Sequence, residues 1–279
     1  MIYPSFSVLM SIYWRENPRY LSQAFDSLFN QTVVPTEIVL VKDGPLTEEI
    51  ESVITQYQAR YPSILKIVPL PTNVGLGNAL REGLNACSHE FVARMDTDDI
   101  CVPDRFERQL RSLTLNPEIA VVGGFIGEFY DEQVDYIKYV RKVPTSPQDI
   151  LKYAKYRNPV NHVTAMFRKS IVLKVGGYQH FLGVEDYYLW ARLLNNGYQI
   201  LNLDEILVKV RTGKEMYSRR GGFDYIKSEY RLQKAFLDMG FINTLQFAFN
   251  ITSRTLVRIF PNNLRGLFYE KFLRESINN

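Results

Sequence analysis

Asp96, Asp98 and Asp99 put three carboxylates within four residues, directly after the apolar run Glu90–Met95. Like charges this close repel, so a fold must compensate them. A hard divalent cation does so, because Mg2+ and Mn2+ prefer carboxylate oxygens together with the phosphate oxygens of a substrate. Such an ion stabilises a departing diphosphate as a Lewis acid. Acids also cap helices and suit the positive end of the helix dipole, so Asp99 or Asp104, near a helix start, can serve that purpose alone. A second acidic pair, Glu185-Asp186, precedes Tyr187-Tyr188-Leu189-Trp190. A carboxylate there can act as general base on an acceptor hydroxyl if it comes within hydrogen-bond reach; acidic pairs are also common at ordinary helix starts. Leu189 and Trp190 read as core, while Tyr187 and Tyr188 suit either the core or stacking on a sugar.

Other polar clusters offer contacts rather than bond chemistry. Asp43 can accept a hydrogen bond from a uracil ring N–H, or it can stabilise the Asp43-Gly44-Pro45 turn. Asn73-Val74-Gly75-Leu76-Gly77-Asn78 supplies a flexible backbone at a helix start, suited to close approach of ribose or phosphate. It is neither a dinucleotide-binding glycine fingerprint nor a G-x-x-x-x-G-K-[S/T] loop. Arg219-Arg220-Gly221-Gly222 is a basic turn that can clamp a diphosphate or an acceptor phosphate, or stand as a solvated loop. His162, one of only three histidines, reads as a hydrogen-bonded structural residue at a strand start.

These clusters must be positioned by the elements around them. Short apolar runs at Phe6–Ile12, Glu37–Val41, Ile64–Leu70 and Glu90–Met95 alternate with helical spacings. Asn17 caps one helix with Pro18 at its first position; Leu21, Phe25 and Leu28 share its face. Thr47 precedes Ile50, Val53, Ile54 and Tyr57; Leu76, Leu80 and Leu84 recur, as do Phe106, Leu110 and Leu113. Such alternation predicts an α/β fold with a mostly parallel sheet, helices on both faces, and strand C-termini along one ligand-binding edge. After Pro117 the pattern changes. Ile119–Tyr130 and Val134–Val143 read as antiparallel strands around Asp131-Glu132-Gln133. A capping box at Ser146-Pro147-Gln148-Asp149 opens a helix to about Arg157. His162–Arg168 reads as a strand, Val184–Asn196 as a helix, Gln199–Arg211 as a final strand, and the chain from Ser218 onwards as helical.

Composition is that of a globular protein, 46% hydrophobic and 23% charged, with a net charge of +3. The charge is uneven. Residues 209–279 carry thirteen Lys/Arg against six Asp/Glu, a balance of +7. That tail can meet an anionic surface or simply display its bases to water. Phe241–Ser253 contains no charge, and its length suits a buried or interfacial helix. Two cysteines, Cys87 in helix and Cys101 in loop, form no metal spacing or disulfide framework, which suits a reducing compartment. Neither a secretory leader nor a run of ~18 apolar residues is present, so a cytoplasmic protein, peripheral to a membrane, is expected.

The clusters, in their order, resemble the family 2 glycosyltransferases, which have the GT-A fold. The matching pieces are Ser7-Val8-Leu9-Met10-Ser11-Ile12-Tyr13, Asp43-Gly44, Asn73-Val74-Gly75-Leu76-Gly77-Asn78-Ala79-Leu80, Asp96-Thr97-Asp98-Asp99 and Glu185-Asp186. The resemblance implies a GT-A domain over 1–212, with a nucleotide-sugar-binding half at 1–117 and an acceptor half at 118–212, followed by a basic, aromatic helical extension at 213–279. It implies donor contacts from Ser11, Tyr13, Glu16, Asp43, Asn73, Gly75, Arg94, Asp96, Thr97 and Asp98. Asp98 and Asp96 would hold Mn2+ or Mg2+, and Asp186, beside Glu185, would be the base of an inverting transfer. His162, Arg219 and Arg220 would face acceptor or phosphate. A bacterial subgroup of amylovoran and O-antigen biosynthesis proteins is more similar still, through Val92–Asp99, Arg157–His162, Met166–Ser170 and the Arg219-Arg220-Gly221-Gly222 turn. Some members of that subgroup resemble β-1,3-galactosyl- or glucosyltransferases that use a UDP-sugar and extend GlcNAc on diphosphoundecaprenol. Such an acceptor places the enzyme at the cytoplasmic face of the bacterial inner membrane.

Two features depart from the wider family. Leu80 stands where an Arg is frequent, with Arg81 one place later on another helical face. The Q-x-x-R-W signature of processive synthases is missing, which favours addition of a single sugar. A non-catalytic nucleotide-sugar-binding component of a polysaccharide assembly complex is the alternative. A sugar-nucleotide pyrophosphorylase would need a Gly-rich phosphate loop with Lys after the first strand, where Tyr13-Trp14-Arg15-Glu16-Asn17 stands. No nucleic acid is expected as a partner.

Overall fold

The alternation of side chains along the first strand decides the layering. In β1 (Phe6–Ile12), Val8 and Met10 point to one face of a sheet and Leu9 to the other, all fully buried. The computed structural model describes residues 3–130, 133–212, 223–259 and 275–276. β1 pairs in parallel with β2 (Glu37–Lys42) and β4 (Phe91–Arg94), and β2 pairs in parallel with β3 (Leu65–Pro69). The four-stranded parallel block thus runs β3-β2-β1-β4.

Antiparallel pairing begins beside β4, where β8 (Met166–Arg168) links the block to the long β6 (Ile119–Tyr130). β6 carries β7 (Tyr139–Arg141) farther along the same edge. Its other edge takes β9 (Gln199–Thr212) in parallel, through two bulged stretches. A short β5 (Ile100–Cys101) pairs with β9, so Cys101 lies in a strand rather than a loop. The sheet is therefore mixed, with its parallel block at one end.

Helices cover both faces. On one lie α1 (Pro18–Phe29), α2 (Glu48–Arg60) and α4 (Arg105–Leu115), packing Phe25, Ile50 and Phe106 against Val8, Met10 and Ile38. Asn17 and Thr47 cap α1 and α2 as their residue types require: Asn17 Oδ1 accepts from Arg19 N–H at 2.9 Å, and Thr47 Oγ1 from Ile50 N–H at 3.4 Å. On the opposite face lie α3 (Leu76–Ala86), α5 (Pro147–Ala154), α6 (Lys169–Lys174) and α7 (Glu185–Asn195). Leu232 and Phe236 of α8 (Phe223–Asp238) join that same core beside Tyr187 and Trp190. Each such buried side chain contributes roughly 1.5–3 kcal/mol, so α8 is seated on the sheet layer. α9 (Thr244–Ile259) is tied on by buried Asn250, which donates to Lys155 O and Gln233 Oε1, each at 2.8 Å. No helix among the described residues is long and apolar enough to cross a membrane.

Three expected elements differ. The strand expected at Val134–Val143 contracts to β7, because Gln133 and Tyr136 close turns on Tyr130 O and Gln133 O and Lys138 only then rejoins Glu128 O. The helix expected to reach Arg157 ends at Ala154, where the Tyr156 and Arg157 N–H groups both turn back to Tyr153 O. The strand expected at His162–Arg168 starts with a 3₁₀ turn, His162–Thr164, and is extended only from Met166.

The seating of α3 depends on Gly83, whose added Cβ would lie 2.4 Å from Leu9 Cδ1 and 2.5 Å from Val41 Cγ2. Both neighbours are fully buried, so neither moves freely. Gly83→Val is expected to cost about 1–3 kcal/mol of stability, read as a lower urea midpoint. A midpoint at or above that of the parent would show that α3 does not sit this close to the sheet.

Candidate active site

The C-terminal ends of β1, β2 and β4 lie side by side, because Ile12 pairs with Lys42 and Leu9 with Arg94. Asp43 and the Asp96-Thr97-Asp98-Asp99 turn therefore leave the sheet at one edge. Asp96, Asp98 and Asp99 each offer a carboxylate oxygen, and these lie within 4.8 Å of one another. Their surroundings differ. Asp96 Oδ1 is 2.5 Å from Arg94 Nη1. Asp99 Oδ1 accepts the Arg211 backbone N–H at 2.9 Å. Neither Asp99 nor Asp104 is held by helix capping: β5 follows Asp99, while Asp104 stands before α4 without a side-chain cap bond and ion-pairs with Arg108. Thr97 is buried within the turn.

Burial, and then the neighbouring Asp96 carboxylate, pushes Asp98 up to about 6. Asp99 is raised well above the carboxylate range by burial and by Asp98 and Asp96. Crowded acids that resist ionisation together are the donor set a hard divalent cation relieves, so these residues fit Mn2+ or Mg2+. Of the three, Asp99 also accepts the β9 backbone amide of Arg211, while Asp96 and Asp98 remain partly open to solvent.

Arg94 is buried beneath this turn, and its Nε has no hydrogen-bond partner. Burial opposes its charge, but the Asp96 ion pair and hydrogen bond outweigh that cost and hold the group firmly cationic. The same charge acts on Asp98, Asp99, Glu185, Asp186, Tyr178 and His162. The acids of β4 and those of α7 thus share one buried cation.

Asp43 is buried at the end of β2. Its Oδ1 accepts from Val74 N–H at 2.7 Å and its Oδ2 from Gly75 N–H at 3.1 Å, while Asn73 Nδ2 donates to its carbonyl at 3.2 Å. The carboxylate therefore staples the β2 end to the start of α3. Gly44, at φ +87, permits that approach, since a Cβ there would lie 2.7 Å from Asn73 N. Ser11, one residue before the end of β1, pairs with Val41, and the Glu16 N–H closes a turn on Tyr13 O at 3.2 Å. Leu80 is buried and Arg81 exposed beside Glu82.

The α3 start also meets the α7 start. A Cβ on Gly77 would sit 3.0 Å from Gln179 O and 3.3 Å from Glu185 Cβ. Two motifs separated by about a hundred residues in the chain are thus adjacent in space. Asp186 Oδ2 accepts from Asn158 Nδ2 at 2.6 Å. Burial raises the Asp186 pKa, opposed by the Asn158 hydrogen bond, the Tyr187 N–H and the charges of Arg141 and Arg94. Burial, and then Asp186, pushes Glu185 up to about 7.

His162 lies in the 3₁₀ turn, with Nε2 2.9 Å from the Tyr178 hydroxyl and its ring edge-on to Trp190. Burial and then Arg94 hold its pKa well below the usual value, so it is neutral. Tyr187 packs inward and donates to Ala154 O at 2.8 Å, and Tyr188 stacks near Phe181. Arg219 and Arg220 lie outside the described residues.

Two residues had escaped the sequence reading. Asn158, in the Arg157–His162 stretch, holds Asp186. Arg211, at the last position of the expected strand, donates from Nε to Asp98 O at 3.1 Å and from Nη2 to Gln23 Oε1 at 2.6 Å, and lies over the Tyr20 and Phe129 rings. No local signal marked it, since Asp204, Glu205 and Lys209 of the same strand are charged as well.

Comparison with known proteins agrees with this arrangement. The glycosyl transferase family 2 profile matches residues 7–174. The chain is 44% identical to the amylovoran biosynthesis glycosyltransferase AmsE of Erwinia amylovora, over 95% of this chain and 98% of that protein. It is 41% identical to a UDP-Gal:alpha-D-GlcNAc-diphosphoundecaprenol beta-1,3-galactosyltransferase of Escherichia coli, over 98% of each. The crystal structure of S. aureus TarS 1-349 in complex with UDP-GlcNAc superposes with a TM-score of 0.66 at 19% identity, covering 97% of this chain and 77% of that one, a likeness of GT-A-type fold. A family match over more than half the chain, and relatives above 40% identity along nearly all of it, give one conclusion: the chain belongs to glycosyl transferase family 2.

Proposed function

We propose that the chain moves a single hexose, galactose or glucose, from a UDP-sugar to a hydroxyl of a lipid-diphosphate-linked sugar such as GlcNAc-diphosphoundecaprenol, with inversion. Such a step builds O-antigen or exopolysaccharide. The carrying observation is that Asp98 and Asp186 stand around one buried Arg94, with Gly77 bringing the α3 start against Glu185. The name of the E. coli relative supports the choice of donor and acceptor.

In this reading Asp43, Ser11, Tyr13, Glu16, Asn73 and Gly75 line the nucleoside side of the donor, and Arg94, Asp96 and Thr97 border its ribose and diphosphate. Asp98 and Asp96 would hold Mn2+ or Mg2+, which would supply Lewis-acid stabilisation of the leaving UDP. Asp186, oriented by Asn158, takes the proton of the acceptor hydroxyl as that oxygen bonds to the anomeric carbon and the bond to the UDP oxygen breaks. The Asn158 hydrogen bond, the Tyr187 N–H and the charges of Arg141 and Arg94 all favour the ionised form of Asp186 against its burial. Glu185, pushed up to about 7, is largely protonated below neutrality, which eases the like charge beside Asp186. An acceptor buried in a bilayer places the enzyme at the cytoplasmic face of the inner membrane.

The test uses purified protein, UDP-galactose and UDP-glucose, and a synthetic GlcNAc-diphosphate-lipid. Asp186→Asn is expected to lower kcat by about 10²–10⁴, and Asp98→Asn or chelation of divalent metal by about 10²–10³. Transfer that survives both Asp186→Asn and chelation would overturn the mechanism, and UDP binding without turnover would favour a non-catalytic component.

The pH profile gives a second check. A base with a raised pKa loses its proton later as pH rises, so kcat/KM should climb through a midpoint above the ordinary carboxylate range. Asn158→Ala removes a hydrogen bond that favours the charged form, and should move that limb up by about one pH unit. An unmoved limb would mean that Asn158 does not set the basicity of Asp186.

A further inference from the structure

One face of α9 has no counterpart elsewhere in the described structure. Leu245, Ala248, Phe249 and Thr252 recur at helical spacing and are all exposed, Leu245 by 82% and Phe249 by 61%. From Phe241 to Ser253 the chain holds no charged residue. A helix seated on a protein surface ordinarily turns charges to water along its outer face, and this one turns leucine and phenylalanine.

The helix has no freedom to roll and bury them. Asn250 on its inner side is bound to Lys155 O and Gln233, Phe247 packs on the core, and Arg254 pairs with Glu229 and donates to Tyr156 O. Exposed Tyr156 extends the patch, its ring edge-on to Phe249 at 6.0 Å and its hydroxyl accepting from Gln246 Nε2 at 3.3 Å. Lys152 and Arg157 stand exposed beside it. The nearby acid, Asp149, is already engaged by Ser146 and lies 3.8 Å from Lys152.

We propose that this face docks on an anionic phospholipid bilayer, with Leu245 and Phe249 entering the boundary between headgroups and acyl chains, and Lys152 and Arg157 meeting lipid phosphates. An apolar helix face rimmed by cations has that complementarity. A few side chains are far less than the roughly 1,200–2,000 Å² that a stable protein–protein interface buries, whereas a bilayer needs no matched partner surface. The proposal rests on the lipid-linked acceptor of the proposed function and gives it a route. Tyr156 in the patch is two residues from Asn158, whose side chain holds Asp186. The docking face and the proton acceptor therefore share one short connection, and a diphosphate-lipid headgroup at the bilayer surface arrives beside the base.

The experiment is vesicle flotation of the full chain, using phosphatidylglycerol–phosphatidylethanolamine and phosphatidylcholine vesicles. The subjects are the parent chain, the Leu245→Glu/Phe249→Glu pair and the Lys152→Glu/Arg157→Glu pair. Thermal unfolding verifies that each pair folds. The parent is expected to bind the anionic vesicles, the apolar pair to lose about tenfold or more in partitioning, and the charge pair to lose the preference for anionic lipid. With the apolar pair, transfer to a short-chain, water-soluble acceptor should be unchanged, and transfer to a long-chain acceptor embedded in vesicles should fall in step with binding.

Equal vesicle binding by the parent and the apolar pair, or none by the parent, would overturn the docking face. So would light scattering that shows a dimer for the parent and a monomer for the apolar pair, since a second copy would then cover the patch. Vesicle binding that depends on Leu245 and Phe249, without transfer to either acceptor, would support the docking face and count against the transfer reading alone.

Discussion

The ion pair between Arg94 and Asp96 is the interaction on which the site depends. A guanidinium withdrawn from water is costly unless carboxylates surround it, and carboxylates crowded at a strand end are costly unless a cation lies among them. Here each group answers the other. Arg94 ends β4 and faces the aspartates of the following turn, and its charge extends to Glu185 and Asp186 at the start of α7. Asp96 keeps part of its side chain in water, so breaking the pair costs less than the ~3–5 kcal/mol of a fully buried one, on the order of 1–3 kcal/mol, enough to make Arg94 structural and electrostatic at once.

Around that pair, backbone groups fix the remaining acids. Asp43 spends its carboxylate on the Val74 and Gly75 amides, Asp99 on the Arg211 amide, and Asp186 accepts from Asn158. Each bond joins segments far apart in the chain. Asp98 and Asp99 are both raised by burial and neighbouring charge, the crowding that a divalent cation relieves. The rigid positions come from the sheet, whose parallel block brings the ends of β2 and β4, and with them Asp43 and Asp96, to one edge.

The parallel block and its helices were legible because their signals are local. Alternation in Phe6–Ile12, the caps at Asn17 and Thr47 and the spacing of Phe106, Leu110 and Leu113 depend on near neighbours alone. The second half was less legible. Val134–Val143 has strand-like residue types, yet Ile137 packs over Gly127 and the chain turns before it pairs, a tertiary choice without a local period. The acidic clusters could be seen in the sequence, but not their hydrogen-bond partners. Arg211 and Asp99 are 112 positions apart, and Asn158 and Asp186 are 28 apart. Nothing in either neighbourhood specifies the other.

The central claim is that Arg94 balances the acidic groups of a cation-binding donor site, and unfolding of Arg94→Met with and without Mn2+ tests it most directly. Methionine fills much of the space without the charge. Without the ion the variant should lose about 1–3 kcal/mol; with Mn2+ it should recover more stability than the parent gains, because the aspartates then bind the cation without a competing guanidinium. A variant as stable as the parent without Mn2+, or one that gains no more from the ion than the parent does, would contradict the account.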